Sequence, residues 1–202
     1  MIAIIDYGMG NLRSVQKALE KAGAKDVLVT QNVNKIEEAS KVVLPGVGAI
    51  QPAVERLDQL NLIAVIKKTI SSGKPFLGIC LGLQLLFEKS SEGGKVKGLG
   101  ILEGSVERFQ SLKVPHMGWN QINIKNASST MYQGIGNRSD VYFCHSYYVQ
   151  PKLKEVIAST TDYGMQFVSS VCRDNLWGVQ FHPEKSQAVG LNLLKNFVRL
   201  KP

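Results

Sequence analysis

The sequence predicts a single α/β domain over residues 1–202, an open, mostly parallel sheet with helices on both faces and antiparallel strands added in the C-terminal half. Three observations carry this. Up to about residue 90, short strands that are apolar throughout alternate with amphipathic helices, as in a parallel sheet covered on both faces. Beyond residue 100 several segments alternate polar and apolar residues, the habit of antiparallel strands. The composition, 44% apolar and 20% charged, is that of an ordinary globular protein.

The elements follow in order. Residues 2–6 form a strand. Residues 11–22 have helical spacing, with Leu12, Val15, Ala18 and Leu19 on one face and Arg13, Lys17, Glu20 and Lys21 on the other. Strands at 27–30 and 41–44 come next, the latter stopped by Pro45 and Gly46. Helices are expected near 50–57 and 62–71, a strand at 75–80 and a helix at 81–89. The stretch 92–100 reads as a loop. Strand-like segments then occupy 101–109, 119–125, 141–149, 156–161, 167–173 and 177–181, and an amphipathic helix 188–199 closes the chain. No linker or internal repeat divides it.

Composition excludes several classes. No apolar run nears the ~20 residues of a membrane span, and Met1-Ile2-Ala3-Ile4-Ile5-Asp6 reads as a buried strand rather than a signal peptide. Cys80, Cys144 and Cys172 are too scattered for a disulfide framework and include no zinc-type pair. This points to a cytoplasmic protein without a metal or other cofactor. Asn126-Ala127-Ser128 and Asn137-Arg138-Ser139 fit the glycosylation pattern, but by chance in that compartment. The net charge is +8, yet lysines such as Lys95, Lys97, Lys152 and Lys154 are dispersed and no basic stripe with interleaved aromatics suggests nucleic acid. A solvated surface, or an acidic protein partner, accounts for the charge.

The chemistry concentrates in two segments. In Gly78-Ile79-Cys80-Leu81-Gly82-Leu83-Gln84 a strand ends at a cysteine with a glycine two residues to either side. That is the outline of a nucleophile elbow with cysteine in place of serine. The helix start beyond it favours thiolate. Far downstream, Gln180-Phe181-His182-Pro183-Glu184 supplies a base and an acid to orient it. Pro45-Gly46-Val47-Gly48 ends another parallel strand, and its glycines let the main chain approach a substrate and offer N–H groups. Ligands in such sheets bind beyond the carboxyl ends of the strands, so Asp6, Pro45-Gly46 and Cys80 should share one rim. Gly8-Met9-Gly10-Asn11 suggests a dinucleotide loop, but Arg13 stands where its third glycine belongs and no acid closes the second strand. His116 and His145 read as structural or substrate-lining.

The elbow and the His-Pro-Glu segment together resemble the triad-type (class I) glutamine amidotransferases. Ile4-Ile5-Asp6-Tyr7-Gly8-Met9-Gly10-Asn11-Leu12, Leu44-Pro45-Gly46-Val47-Gly48 and Pro115-His116-Met117-Gly118-Trp119-Asn120 narrow the resemblance to the glutaminase subunits of imidazole glycerol phosphate synthases, over residues 2–197. The resemblance implies a flavodoxin-like fold, with Cys80 as nucleophile, His182 as base and acid, and Glu184 orienting His182. It implies an oxyanion hole from the Leu81 and Val47 N–H groups, and L-glutamine held by Gly48, Gln84, Glu92, Ser146 and Tyr147. A carboxylate such as Glu92 suits an α-ammonium. With no second catalytic domain in the chain, the implied partner is a separate (β/α)₈-barrel cyclase in a heterodimer, docked at Met117, Trp119 and Asn120. Rotation of the Gly46–Val47 peptide is expected to gate the oxyanion hole. The alternatives are the glutaminase of anthranilate, pyridoxal phosphate or GMP synthesis, a non-catalytic scaffold, and a stand-alone cysteine hydrolase.

Overall fold

The computed structural model describes residues 1–94, 96–110, 112–125 and 129–201; Lys95 and the Asn126-Ala127-Ser128 pattern lie outside the described residues. Among them, strands are β1 Ile2–Ile5, β2 Val27–Thr30, β3 Lys41–Gly46, β4 Phe76–Cys80, β5 Phe87–Ser90, β6 Val96–Lys97, β7 Leu102–Arg108, β8 His116–Gln121, β9 Asn123–Ile124, β10 Asp140–His145, β11 Tyr147–Pro151, β12 Ile157–Asp162, β13 Gln166–Arg173 and β14 Leu176–Val179. Helices are α1 Leu12–Lys21, α2 Val33–Glu38, α3 Ile50–Gln59, α4 Leu62–Ser71, α5 Leu81–Leu85 and α6 Gln187–Arg199. None is long and apolar enough to cross a membrane.

The main sheet runs β2-β1-β3-β4-β14-β13-β11-β7-β5-β6, with β12 on β13 and β9 on β12. Its first five strands are mutually parallel. The order 2-1-3-4 followed by a fifth parallel strand is the flavodoxin-like one. β13, β11 and β7 continue it antiparallel, as the alternating pattern predicts. Strand alternation splits the apolar residues between two cores. Ala3, Ile5, Val42, Leu44 and Phe76 pack with Leu57, Leu62 and Ile66 of α3 and α4. Ile2, Ile4, Val43, Leu77, Ile79 and Val179 pack with Val15 and Leu19 of α1 and Leu194 and Phe197 of α6.

Several elements differ from expectation: residues 119–125, expected as one strand, divide between β8, which starts at His116, and β9 in the main sheet, and the stretch 92–100, expected as a loop, holds β6. α2 lies where no helix is predicted: Asn32 caps it by accepting from Lys35 N at 3.1 Å, and only Ile36 is buried, too little for a periodic signal. The helix after Cys80 ends at Leu85, and residues 87–90 are a strand. The later chain engages these residues instead: Leu85, Leu86, Phe87 and Glu88 accept from the amides of Leu99, Ile101, Gly100 and Gly98, and residues 87–90 pair with β6 and β7. The segment 141–149 is two strands in two sheets. β10 pairs β8 in a separate ribbon, β11 pairs β7 and β13, and the chain changes sheets at Ser146.

Candidate active site

Cys80 ends β4 with φ +55° and ψ −107°, a sparsely populated conformation that costs roughly 1–3 kcal/mol and persists only when its surroundings enforce it. The flanking glycines are needed for space. A Cβ at Gly78 would sit 2.8 Å from the Gly82 carbonyl oxygen, and one at Gly82 would collide with the Leu44 carbonyl. The β3 register places Gly46 opposite Cys80, and β14 places Val179 opposite Ile79. The two parallel neighbours of β4 therefore deliver Val47 and His182 to the same rim.

His182 is fixed from both sides. Its N–H donates to the Tyr142 carbonyl at 2.9 Å, its carbonyl accepts from Ser186 Oγ at 2.6 Å, and Ser186 Oγ accepts from Tyr142 N at 3.0 Å. Its Nδ1 lies 2.8 Å from Glu184 Oε1, with both side chains almost fully buried. That contact leaves Nε2 to face Cys80. Burial pulls the imidazole pKa down, but hydrogen bonds to Cys80 and Glu184, and their charges, outweigh it and raise it to about 10. The ring is thus a strong acceptor for the thiol proton. Glu184 Oε2 is buried without a partner among the described residues, and the residue walls a groove between α1 and α6.

In front of Cys80 lies a cleft of about 310 Å³. Val47, Gly48, Cys80, Leu81, Gln84, Glu92, Ser146, Tyr147 and His182 line it, so every residue assigned from sequence to chemistry or substrate reaches it except Glu184, which stands behind His182. Pro115, Cys144, His145 and Lys185 complete the wall. Gln84 Nε2 donates to the Tyr147 carbonyl and to Gln180 Oε1, both at 3.0 Å. Glu92 Oε2 accepts from Ile50 N at 2.8 Å, capping α3 where Ala49 offers no side chain. Of the two glycines in the Pro-Gly-Val-Gly segment, Gly48 has φ +95°, whereas Gly46 is glycine because Tyr7, Leu81 and Gly82 fill the space of a Cβ.

Gln180 had no role in the sequence reading, whereas His116 and His145, read there as structural or substrate-lining, are both buried and His145 lines the cleft. Gln180 is fully buried and points Nε2 at Cys80 Sγ, 3.6 Å away; it lies inside the quoted motif, but nothing in its spacing marks it. His145 and His116 form a chain. A carbonyl only accepts, so His145 Nδ1, 2.8 Å from the Tyr147 oxygen, carries hydrogen. With a neutral ring, its Nε2 then accepts from His116 Nδ1 at 3.0 Å, and His116 Nε2 accepts from Asn120 Nδ2 at 3.3 Å. Burial holds both imidazoles neutral, lowering His116 to about 4 and His145 to about 3. Met117 and Trp119 on β8 are 61% and 49% exposed, on the ribbon whose Cys144 and His145 wall the cleft. Asn120 is half-buried, its amide engaged by His116 and the Asp162 carbonyl.

A cysteine–histidine–carboxylate set at the carboxyl edge of a flavodoxin-like sheet defines a class of thiol-dependent hydrolytic or transfer enzymes. The sequence profile of the family described as glutamine amidotransferase class-I matches residues 3–200. The imidazole glycerol phosphate synthase subunit HisH of Moorella thermoacetica is 53% identical over 98% of this chain and 94% of its own length. The HisH subunit of Aquifex aeolicus is 54% identical over 97% and 95%. Among solved structures, one described as a glutamine amidotransferase superposes with a TM-score of 0.76 at 17% identity, covering 98% of this chain and 99% of its own. The glutaminase domain of Trypanosoma brucei CTPS with bound acivicin superposes with a TM-score of 0.70 at 18% identity, covering 100% and 96%. The chain belongs to the class-I glutamine amidotransferases and, within them, to the family of imidazole glycerol phosphate synthase HisH subunits.

Proposed function

We infer that this chain is the glutaminase subunit of an imidazole glycerol phosphate synthase in histidine biosynthesis, hydrolysing L-glutamine and passing the ammonia to a cyclase subunit. The observation that carries the chemistry is Cys80 facing His182, which is itself anchored at 2.8 Å by Glu184.

His182 takes the Cys80 proton, and the thiolate attacks the side-chain amide carbon of glutamine. The oxyanion is held by the N–H groups of Leu81 and Val47; one such donor typically contributes about 3–4 kcal/mol. His182 then gives its proton to the amide nitrogen as the C–N bond breaks, releasing ammonia and leaving a glutamyl thioester on Cys80. A water surrenders a proton to His182 and attacks the thioester, releasing glutamate and returning the thiol. Glu184 fixes the ring so that the same nitrogen performs both transfers. Glu92 suits the substrate α-ammonium, and Gln84, Ser146, Tyr147 and Gly48 shape the rest of the cleft.

Ammonia in neutral water becomes mostly ammonium, which is not a nucleophile. Delivery therefore calls for a docked acceptor enzyme, a (β/α)₈-barrel cyclase in a heterodimer acting on a phosphorylated ribulosyl substrate. Met117 and Trp119 are the apolar anchors exposed beside the cleft. A thiol-directed glutamine analogue tests the site. Mass spectrometry should find one adduct, on Cys80, blocked by excess glutamine. Labelling of Cys144 or Cys172 instead would contradict the assignment.

A further inference from the structure

Tyr7 follows β1, and the reaction above does not use it. The residue is completely buried, yet its hydroxyl has no hydrogen-bond partner among the described residues. Burial, then the nearby Cys80 charge, raise its pKa far above the ordinary phenol value, so it keeps its proton and is always a donor. Its place is specific. A Cβ built on Gly46 would collide with Tyr7 Oη, and would also lie 3.0 Å from Leu81 Cβ and 3.4 Å from Gly82 N. The unpaired hydroxyl therefore abuts the backbone of Gly46, the residue opposite Cys80 in the sheet register. Just beyond, Val47 is 44% exposed at the cleft and Gly48 has φ +95°. The Gly46 end of the segment is gripped and the Val47 end is open.

In a trans peptide the C=O and N–H point in opposite directions. Val47 lines the cleft, whereas Tyr7 does not and lies behind it, against Gly46. When the Gly46–Val47 peptide turns the Val47 N–H toward the substrate oxygen, the Gly46 carbonyl turns away from the cleft, to the side where Tyr7 stands. We propose that Tyr7 is a positioning residue, whose buried hydroxyl donates to the Gly46 carbonyl in the oxyanion-binding orientation and so favours that orientation. The proposal rests on the glutaminase reading and assigns a device to it. A donor left unpaired in one arrangement and satisfied in the other biases the pair toward the second.

The test is Tyr7→Phe, which removes only the hydroxyl, in the complex with the cognate cyclase loaded with its ribulosyl substrate. The expected result is a kcat for glutamine hydrolysis lowered about five- to ten-fold, with KM within about two-fold. The free variant should keep or raise its Tm, because an unpaired buried donor has been removed. Tyr7→Leu, which also opens a cavity, should lose Tm and serves as the packing control. Unchanged kcat in Tyr7→Phe with an active wild type would overturn the Tyr7 role alone. So would a parallel decline of kcat, KM and Tm, which marks a structural part. A wild-type complex that hydrolysed no glutamine would sink the glutaminase reading and this proposal with it.

Discussion

At Glu92 one carboxylate oxygen accepts from the Ile50 amide at 2.8 Å while the residue lines the proposed glutamine cleft. Helix capping and ligand charge are therefore joined in one group, and two substitutions separate them. Glu92→Gln keeps an acceptor for the cap but loses the charge. It should raise KM for glutamine and leave Tm nearly unchanged. Glu92→Ala should also lower stability by about 1 kcal/mol, the ordinary worth of a lost N-cap. Equal Tm values for the two variants would show that the carboxylate does not hold α3. The sequence announces this residue only through resemblance, since its capping partner lies 42 positions earlier and no local spacing joins them. Cys80 and His182 were legible because glycine spacing and a His-Pro-Glu run are local signals. Tyr7 and Gln180 were not, because their meaning lies in which atom of another strand they touch.

At the scale of elements, the elbow is a matter of close approach. Gly82 presses on the Leu44 carbonyl of β3, and Gly78 presses on Gly82. Gly82→Ala must push α5 away from β3, an overpacking that should cost about 1–3 kcal/mol and lower glutaminase activity as Cys80 moves. An alanine variant with wild-type Tm and rate would show that the turn has slack. The parallel half of the sheet was readable because its strands are uniformly apolar and its helices strongly amphipathic. The end of α5 was not: Leu83, Leu85, Leu86 and Phe87 are all buried and fit helix or strand equally. What decides is the later chain, which engages the carbonyls of residues 85–88 and pairs residues 87–90 with β6 and β7. Likewise, residues 141–149 read as one continuous strand, yet they divide between two sheets at Ser146. That division carries Ser146 and Tyr147 into the cleft.

For the whole molecule, the chain from Asn120 through His116 and His145 to the Tyr147 carbonyl ties the exposed β8–β10 ribbon to the cleft. Both imidazoles are neutral when folded, with pKa values of about 4 and about 3 against 6.5 when unfolded. A group depressed in this way contributes stability that is fully present above pH 6.5 and is lost as pH falls toward the folded values. Two such groups make the loss steep, up to about 2.7 kcal/mol per pH unit. Thermal unfolding followed from pH 7 to 4.5 should show Tm falling from pH 6.5 downward. A His116→Gln/His145→Gln variant should start lower at pH 7 and fall less steeply. A wild-type Tm flat across that range would mean that the pair is charged in the fold.

The central claim is a Cys80-dependent glutaminase that works for a partner. The most direct measurement is glutamate release from L-glutamine by the purified chain, alone and with the cognate barrel cyclase plus its ribulosyl substrate, with Cys80→Ala as control. The account predicts weak release alone, strong release with the loaded partner, and none from the variant. Full activity without the partner would contradict the synthase role. Activity that survived Cys80→Ala would contradict the chemistry.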